Sequence, residues 1–260
     1  MQASQYIFNI EQDPFGPIDK LTELWGDVVV PIYVDNPKSE LAVDGLGSAF
    51  LYTDRGALYL VTALHVVQNA NLFAHQVGVF AGKAAHLGGL TFSKSPAHDV
   101  VVAHLSNEWL QGAGLERLKA LPAAHSDEWQ ESGVHLLWGY PETKNRLDQR
   151  FGRVNRQMLS ITTEHLLTSS VKTKIKDAIC ISYNHKNVVN SAQEKLGPQP
   201  ALQGMSGGPL IHVLTRRVSL SEVRFNVRCD GVLCEWHKTA RAVVASPLAA
   251  VKKLIRDNEA

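Results

Sequence analysis

Cysteine is scarce in this chain. Only Cys180, Cys229 and Cys234 occur in 260 residues. So low and odd a count does not build a disulfide framework. Charge of one sign is also lacking: the net value is +1 at pH 7. That removes the whole-chain case for a nucleic-acid partner or an anionic membrane. No apolar run reaches the ~20 residues of a membrane span. Met1 to Phe15 shows no basic stretch followed by an apolar one, and carries acidic residues and Pro14 instead. A signal peptide is therefore not expected, and the chain reads as soluble and cytoplasmic. What remains is ordinary. Hydrophobic residues make up 45% of the sequence, enough at this length to bury a sizeable core.

Apolar runs recur at strand length. Asp27–Tyr33 is the first. Gly47–Tyr52 and Ala57–Thr62 flank Thr53-Asp54-Arg55-Gly56 and read as a hairpin with a glycine-assisted turn. Val77–Phe80 and Asp99–Leu105 extend the set, giving a first β-barrel over about 26–110. Residues 106–130 read as a linker with a helical turn. From Val134 to Ala245 a second group of strands predicts another barrel, about 131–245, with a loop over 184–200. Ser246-Pro247 then reads as N-cap and first helical residue of a helix over 246–257, whose stripe is Leu248, Val251, Leu254 and Ile255. Many short strands with regular turns point to an all-β fold. Residues 1–24 read as an N-terminal extension with an amphipathic piece from Ile18 to about Trp25.

The chemistry concentrates in two short segments. Gly204-Met205-Ser206-Gly207-Gly208-Pro209-Leu210 presents one hydroxyl on a loop of small residues. Leu60-Val61-Thr62-Ala63-Leu64-His65-Val66-Val67 places a histidine in an apolar run. A serine is a weak nucleophile at neutral pH and needs a nearby base, for which histidine is the usual choice. Asp99 opens another apolar strand and is the best candidate for a third group that would fix the histidine tautomer. Asp54 is a rival, but it falls in the expected hairpin turn.

Gly-x-Ser-Gly-Gly-Pro together with Thr-Ala-x-His resembles the chymotrypsin/trypsin-like serine peptidases, over roughly residues 25–258. The order His65, Asp99, Ser206 is the family's order. The resemblance implies two six-stranded antiparallel barrels closed by a C-terminal helix. It implies a serine endopeptidase acting through an acyl-enzyme on protein or peptide substrates. It also implies an oxyanion hole made by the Gly204 and Ser206 amides. Met205 departs from the digestive and clotting members, which carry aspartate there to pair with a newly cut N-terminus. Activation by such cleavage is not expected, and the chain looks closer to the HtrA-like, bacterial branch. Control by a protein partner, by the 184–200 loop or by residues 1–24 would fit better.

By the same resemblance, the S1 walls come from about Pro200–Gln203 and from Val232–Trp236. Gln203, Cys234, Trp236 and His237 are the candidate substrate contacts. Pro198–Gln203 contains no aspartate, so cleavage after Arg or Lys is not supported. Two other readings stand beside this one. One is a non-catalytic module of the same fold that binds peptides or a partner. The other is an α/β-hydrolase esterase, because Gly204-x-Ser206-x-Gly208 also fits a nucleophile elbow, with Asp230 and His237 following. The 54 residues after the serine leave that fold little room. Cys229-x4-Cys234-x2-His237 has the look of a partial metal site, yet these cysteines read equally as small hydrophobes in strands. No metal or cofactor is expected.

Overall fold

The 47–62 hairpin forms with a two-residue turn. Arg55 (φ 47°) and Gly56 (φ 83°) both lie in the left-handed region. That is the requirement of a type I′ turn, whose twist matches the strands it joins. The computed structural model describes residues 6–8, 16–35, 43–68, 76–115, 117–122, 129–142, 147–148, 153–154, 157–164, 171–183, 202–219 and 222–259. The 184–200 loop, residues 1–5 and 9–15, and Pro200 and Ala201 of the expected S1 wall lie outside the described residues.

In chain order, strand β1 (Tyr6–Phe8) precedes helix α1 (Gly16–Trp25). Then come β2 (Val29–Asp35), β3 (Val43–Asp54), β4 (Ala57–Ala63), the short helix α2 (Leu64–Gln68), β5 (Gln76–Phe80), β6 (Lys83–His86), β7 (Phe92–Ser95) and β8 (Val100–His104). Helix α3 (Asn107–Gly112) and β9 (Leu121–Pro122) lead to β10 (Gln130–Gly139). The pair β11 (Leu147–Asp148) and β12 (Arg153–Val154) stands apart. Strands β13 (Leu159–Glu164), β14 (Ile179–Ser182), β15 (Pro209–Arg217), β16 (Val223–His237) and β17 (Ala242–Pro247) precede helix α4 (Leu248–Glu259).

The fold is mostly β with a C-terminal helix. One sheet runs β6-β5-β2-β3-β4-β8-β7, with β9 added parallel to β3. The other runs β13-β10-β15-β16-β17-β14, with β1 paired to β16. All other pairings are antiparallel. Among the described residues, neither sheet closes into the expected six-stranded ring. The first carries extra short strands at its ends. The second ends at β13 and β14, which are linked by Thr163 Oγ1 donating to the Ser182 carbonyl. The apolar runs at 60–63 and 100–103 are buried throughout because β4 is flanked on both sides, by β3 and β8.

One boundary differs from the sequence reading. Ser246 and Pro247 finish β17, opposite Val232 and Gly231. The Ser246 hydroxyl is buried without a partner, so it caps nothing, and α4 starts at Leu248. Sheet register outweighs the local capping signal here. The amphipathic piece of the N-terminal segment is helix α1, which buries Leu21 and Trp25 in the main core. Lys119 Nζ donates to the Leu24 carbonyl at 2.6 Å, tying the helix to the loop before β9. A chain beginning at Trp25 loses a fully buried leucine with its helix. It should be less stable by about 2–5 kcal/mol, at about 2–4 °C of Tm per kcal/mol for a chain of this size. Thermal melting of the intact and shortened chains measures this; equal Tm values would place α1 outside the cooperative core.

Candidate functional site

His65 sits on the single helical turn that leaves β4. Leu64, Val66 and Val67 are buried, while the His65 side chain keeps 37% exposure. The apolar run thus anchors the turn and leaves its one polar ring facing out. Asp99 ends a short turn over Pro96–His98 with φ 51° and ψ 42°. That left-handed conformation is uncommon outside glycine, and aspartate tolerates it better than most residues. Its carbonyl accepts the Leu64 N–H at 2.9 Å. Oδ1 accepts the His65 backbone N–H at 3.0 Å, and Oδ2 lies 2.6 Å from His65 Nδ1. A carboxylate against Nδ1 keeps the proton there and leaves Nε2 as the acceptor nitrogen.

Ser206 lies on two consecutive tight turns. Met205 N–H donates to the Leu202 carbonyl and Gly208 N–H to the Met205 carbonyl, each at 3.0 Å. The third residues of these turns are Gly204 (φ 90°) and Gly207 (φ 86°), where a type II turn requires positive φ. Space demands glycine as well. A Cβ on Gly207 would lie 2.0 Å from the Ser48 carbonyl oxygen, and one on Gly208 2.0 Å from that of Trp138. The loop is held from both sheets. Ser48 in β3 donates its N–H to the Ser206 carbonyl at 2.8 Å, and its hydroxyl to the Gly204 carbonyl at 2.8 Å. Tyr140, just past β10, donates its N–H to the Ser48 hydroxyl at 2.9 Å. Among the described residues, neither the Gly204 nor the Ser206 amide donates a hydrogen bond.

The structure brings His65 and Asp99 together, but Ser206 is bonded elsewhere. Ser206 Oγ donates to the Cys234 carbonyl at 3.1 Å, not to His65. Cys234 and Glu235 border both the cleft at Ser206 and the neighbouring one lined by His65 and Asp99. The two groups therefore flank the same two residues of β16.

The cavity beside Ser206 encloses about 20 Å³, space for about one water. Cys234 and Trp236 line it. Gln203 does not: it is exposed, and its carbonyl accepts the Glu142 N–H. His237 also lies outside, with Nε2 2.7 Å from Glu235 Oε2. Leu137, Leu202, Met205, Leu233, Glu235 and Val243 complete the wall. Leu202, Leu233 and Glu235 fall within the expected wall segments; Leu137, Met205 and Val243 were missed because apolar residues from separate parts of the chain look like any other core. Met205 is 2% exposed within this apolar cluster, which offers no seat for a buried ammonium.

The remaining sequence candidates separate. His237 is paired to Glu235. Asp230 is bonded to Arg228, at 2.7 Å, and to His212. Neither meets Ser206, and the sheet that follows the serine is antiparallel. The three cysteines are buried free thiols. Burial, with smaller contributions from Asp230 and Asp99, pushes the Cys229 and Cys234 thiols well above their ordinary range. Among the described residues, Cys229, Cys234 and His237 do not converge as metal ligands. No described helix is long and apolar enough to cross a membrane.

No family model matches the chain, and no curated protein matches it. One similar solved structure comes from work on the Sesbania mosaic virus VPg protein, described as intrinsically disordered, in which aromatic interactions drive coupled folding and binding. It is 16% identical, with a TM-score of 0.48, over 86% of this chain and 87% of that one.

Proposed function

We propose that the chain is a chymotrypsin-like serine endopeptidase built on two barrel-like halves. Ser206 is the nucleophile, His65 Nε2 the general base, and Asp99 the group that orients it. The observation carrying this reading is the double clasp of Asp99 on the His65 amide and Nδ1. It supplies the tautomer that a serine-activating histidine needs. The unengaged Gly204 and Ser206 amides supply the donors that a tetrahedral oxyanion needs.

In this mechanism the Ser206 hydroxyl leaves the Cys234 carbonyl and gives its proton to His65 Nε2 as Oγ attacks the scissile carbonyl. The imidazolium formed is held by Asp99 and then protonates the leaving amine. Water repeats the sequence in reverse and frees the acyl group. Hydrogen bonds of this kind are often formed only once substrate is bound, so a serine parked on another acceptor is compatible with the role. The Ser206–Cys234 bond also favours a second reading, a peptide-binding module of the same fold without catalysis. Labelling of the full-length chain by a fluorophosphonate, located at Ser206 by mass spectrometry of the peptide, separates the two. Absence of labelling at any protein concentration would sink the peptidase reading. Labelling of the intact chain without prior cleavage is the result expected from Met205.

The pocket walls also set a preference. The wall is apolar apart from Glu235, whose carboxylate is paired to His237, and a cavity that small suits a small apolar P1 side chain and resists the bulk of Phe, Arg or Lys. One added methylene is worth about 1–3 kcal/mol at such a wall. Profiling with a library varied only at P1 should therefore favour Ala or Val over Phe and Arg by at least about tenfold. A preference for basic P1 residues would refute the assignment of this pocket.

A further inference from the structure

The second sheet holds a polar cluster away from Ser206. His135 on β10 and His212 on β15 are directly opposed across the strands. Their rings lie 4.2 Å apart between centroids, and both residues are 4% exposed. His212 in turn faces Arg228 on β16, and Asp230 follows two residues on. One oxygen, Asp230 Oδ2, lies 3.0 Å from His212 Nδ1 and 3.5 Å from His135 Nε2. All three ligand atoms fall within 4.8 Å of one another.

We propose that His135, His212 and Asp230 form a binding site for a divalent transition cation of the Zn²⁺ class. Two imidazoles and a carboxylate are the donor set such ions take, and hard ions such as Mg²⁺ or Ca²⁺ do not. The spacing fits. Ligands at about 2.0–2.1 Å from a tetrahedral ion stand about 3.4 Å from each other, which is close to the two nitrogen–oxygen separations seen. Arg228 serves as the outer partner: its Nε donates to Asp230 Oδ1 at 2.7 Å and so turns Oδ2 toward the imidazoles.

The hydrogen bonding without an ion is in conflict at one atom. His212 Nδ1 lies 3.0 Å from the acceptor Asp230 Oδ2 and 3.1 Å from the donor Arg228 Nη2. A single ring nitrogen cannot donate to one and accept from the other at once. A cation held by Nδ1 and Oδ2 resolves this, because both atoms then act as lone-pair donors to it. Arg228 Nη2 then keeps Glu131 Oε1, at 2.7 Å, and lies 3.4 Å from Asp230 Oδ2. The cluster is not sealed from solvent, since the Asp230 side chain keeps 18% exposure. The site rests on three hydrogen-bonded strands rather than on loops, so its geometry is set by the sheet.

The test uses the full chain, stripped with chelator and titrated with Co²⁺ or Zn²⁺. The expected result is one ion per chain, a Co²⁺ spectrum of a four-coordinate nitrogen–oxygen site, and a Zn²⁺-dependent rise in Tm. His212→Gln should weaken binding by at least about tenfold, the scale of a lost positioning contact and more for a lost ligand. Serine labelling at Ser206 should persist in that variant, because the cluster is separate from His65 and Asp99. Stoichiometric binding that His212→Gln leaves unchanged, or no binding by the wild type, overturns the proposal. Should His212→Gln not fold, X-ray absorption on the Zn²⁺-loaded wild type decides. Two imidazoles with no sulfur support the site, and a sulfur ligand places the ion on a cysteine instead and refutes it.

Discussion

Ser206→Ala should abolish peptidase activity and fluorophosphonate labelling while the fold survives. The side chain makes one hydrogen bond, to the Cys234 carbonyl, and alanine fits the same turn. The stability cost is that of a single ordinary hydrogen bond, about 1 kcal/mol. The kinetic cost is of another order. Loss of the nucleophile in a serine–histidine unit lowers kcat by roughly 10⁶-fold, and loss of the histidine alone costs nearly as much, because neither acts without the other. His65→Ala should therefore match Ser206→Ala within the residual rate, with both variants melting close to wild type. Activity in Ser206→Ala equal to wild type would show that the hydrolysis belongs to another group.

Asp99→Asn should produce the second-largest loss. Asparagine tolerates the left-handed backbone as aspartate does, so the Leu64 N–H keeps its carbonyl partner. The amide, however, presents a donor where His65 Nδ1–H needs an acceptor. The ring then turns or adopts the other tautomer, and Nε2 ceases to be the base. If the proposed mechanism holds, a loss of about 10⁴ in kcat follows, the scale of this change in a Ser–His–Asp triad. Asp54→Asn is the control, since Asp54 closes the β3–β4 hairpin opposite Ala57. The measurement is kcat for both variants on one substrate. A damaging Asp54→Asn beside a silent Asp99→Asn would overturn the assignment of the acid.

Much of the site could be anticipated because its signals are local. A histidine on the turn after an apolar strand, an aspartate at the head of another and a glycine-flanked serine each announce themselves within eight residues. The His65–Asp99 pairing follows once β4 and β8 lie side by side. The cavity wall is different in kind. Leu137, Leu233 and Val243 come from three strands, and only register makes them one surface. The same holds for His135, His212 and Asp230, which no spacing rule connects. Ser246-Pro247 shows the opposite failure: a strong local signal for a helix start loses to pairing with β16. Helix α1 looked like an appendage because the surface that buries Leu21 is assembled from distant parts of the chain.

The stitching of the serine loop has a bearing on biosynthesis. Gly207 packs against Ser48 and Thr62, and Ser48 holds the carbonyls of Gly204 and Ser206, so the hydroxyl is presented properly only after the early and late parts of the polypeptide have met. A ribosome delivers His65 and Asp99 long before Ser206. In the proposed mechanism, a nascent chain that does not yet include Ser206 holds a base and its partner but nothing for them to activate. On the proposed mechanism such a chain is silent toward its own folding intermediates and toward the chaperones that hold them, and reactivity at the serine becomes a report that the two sheets have assembled.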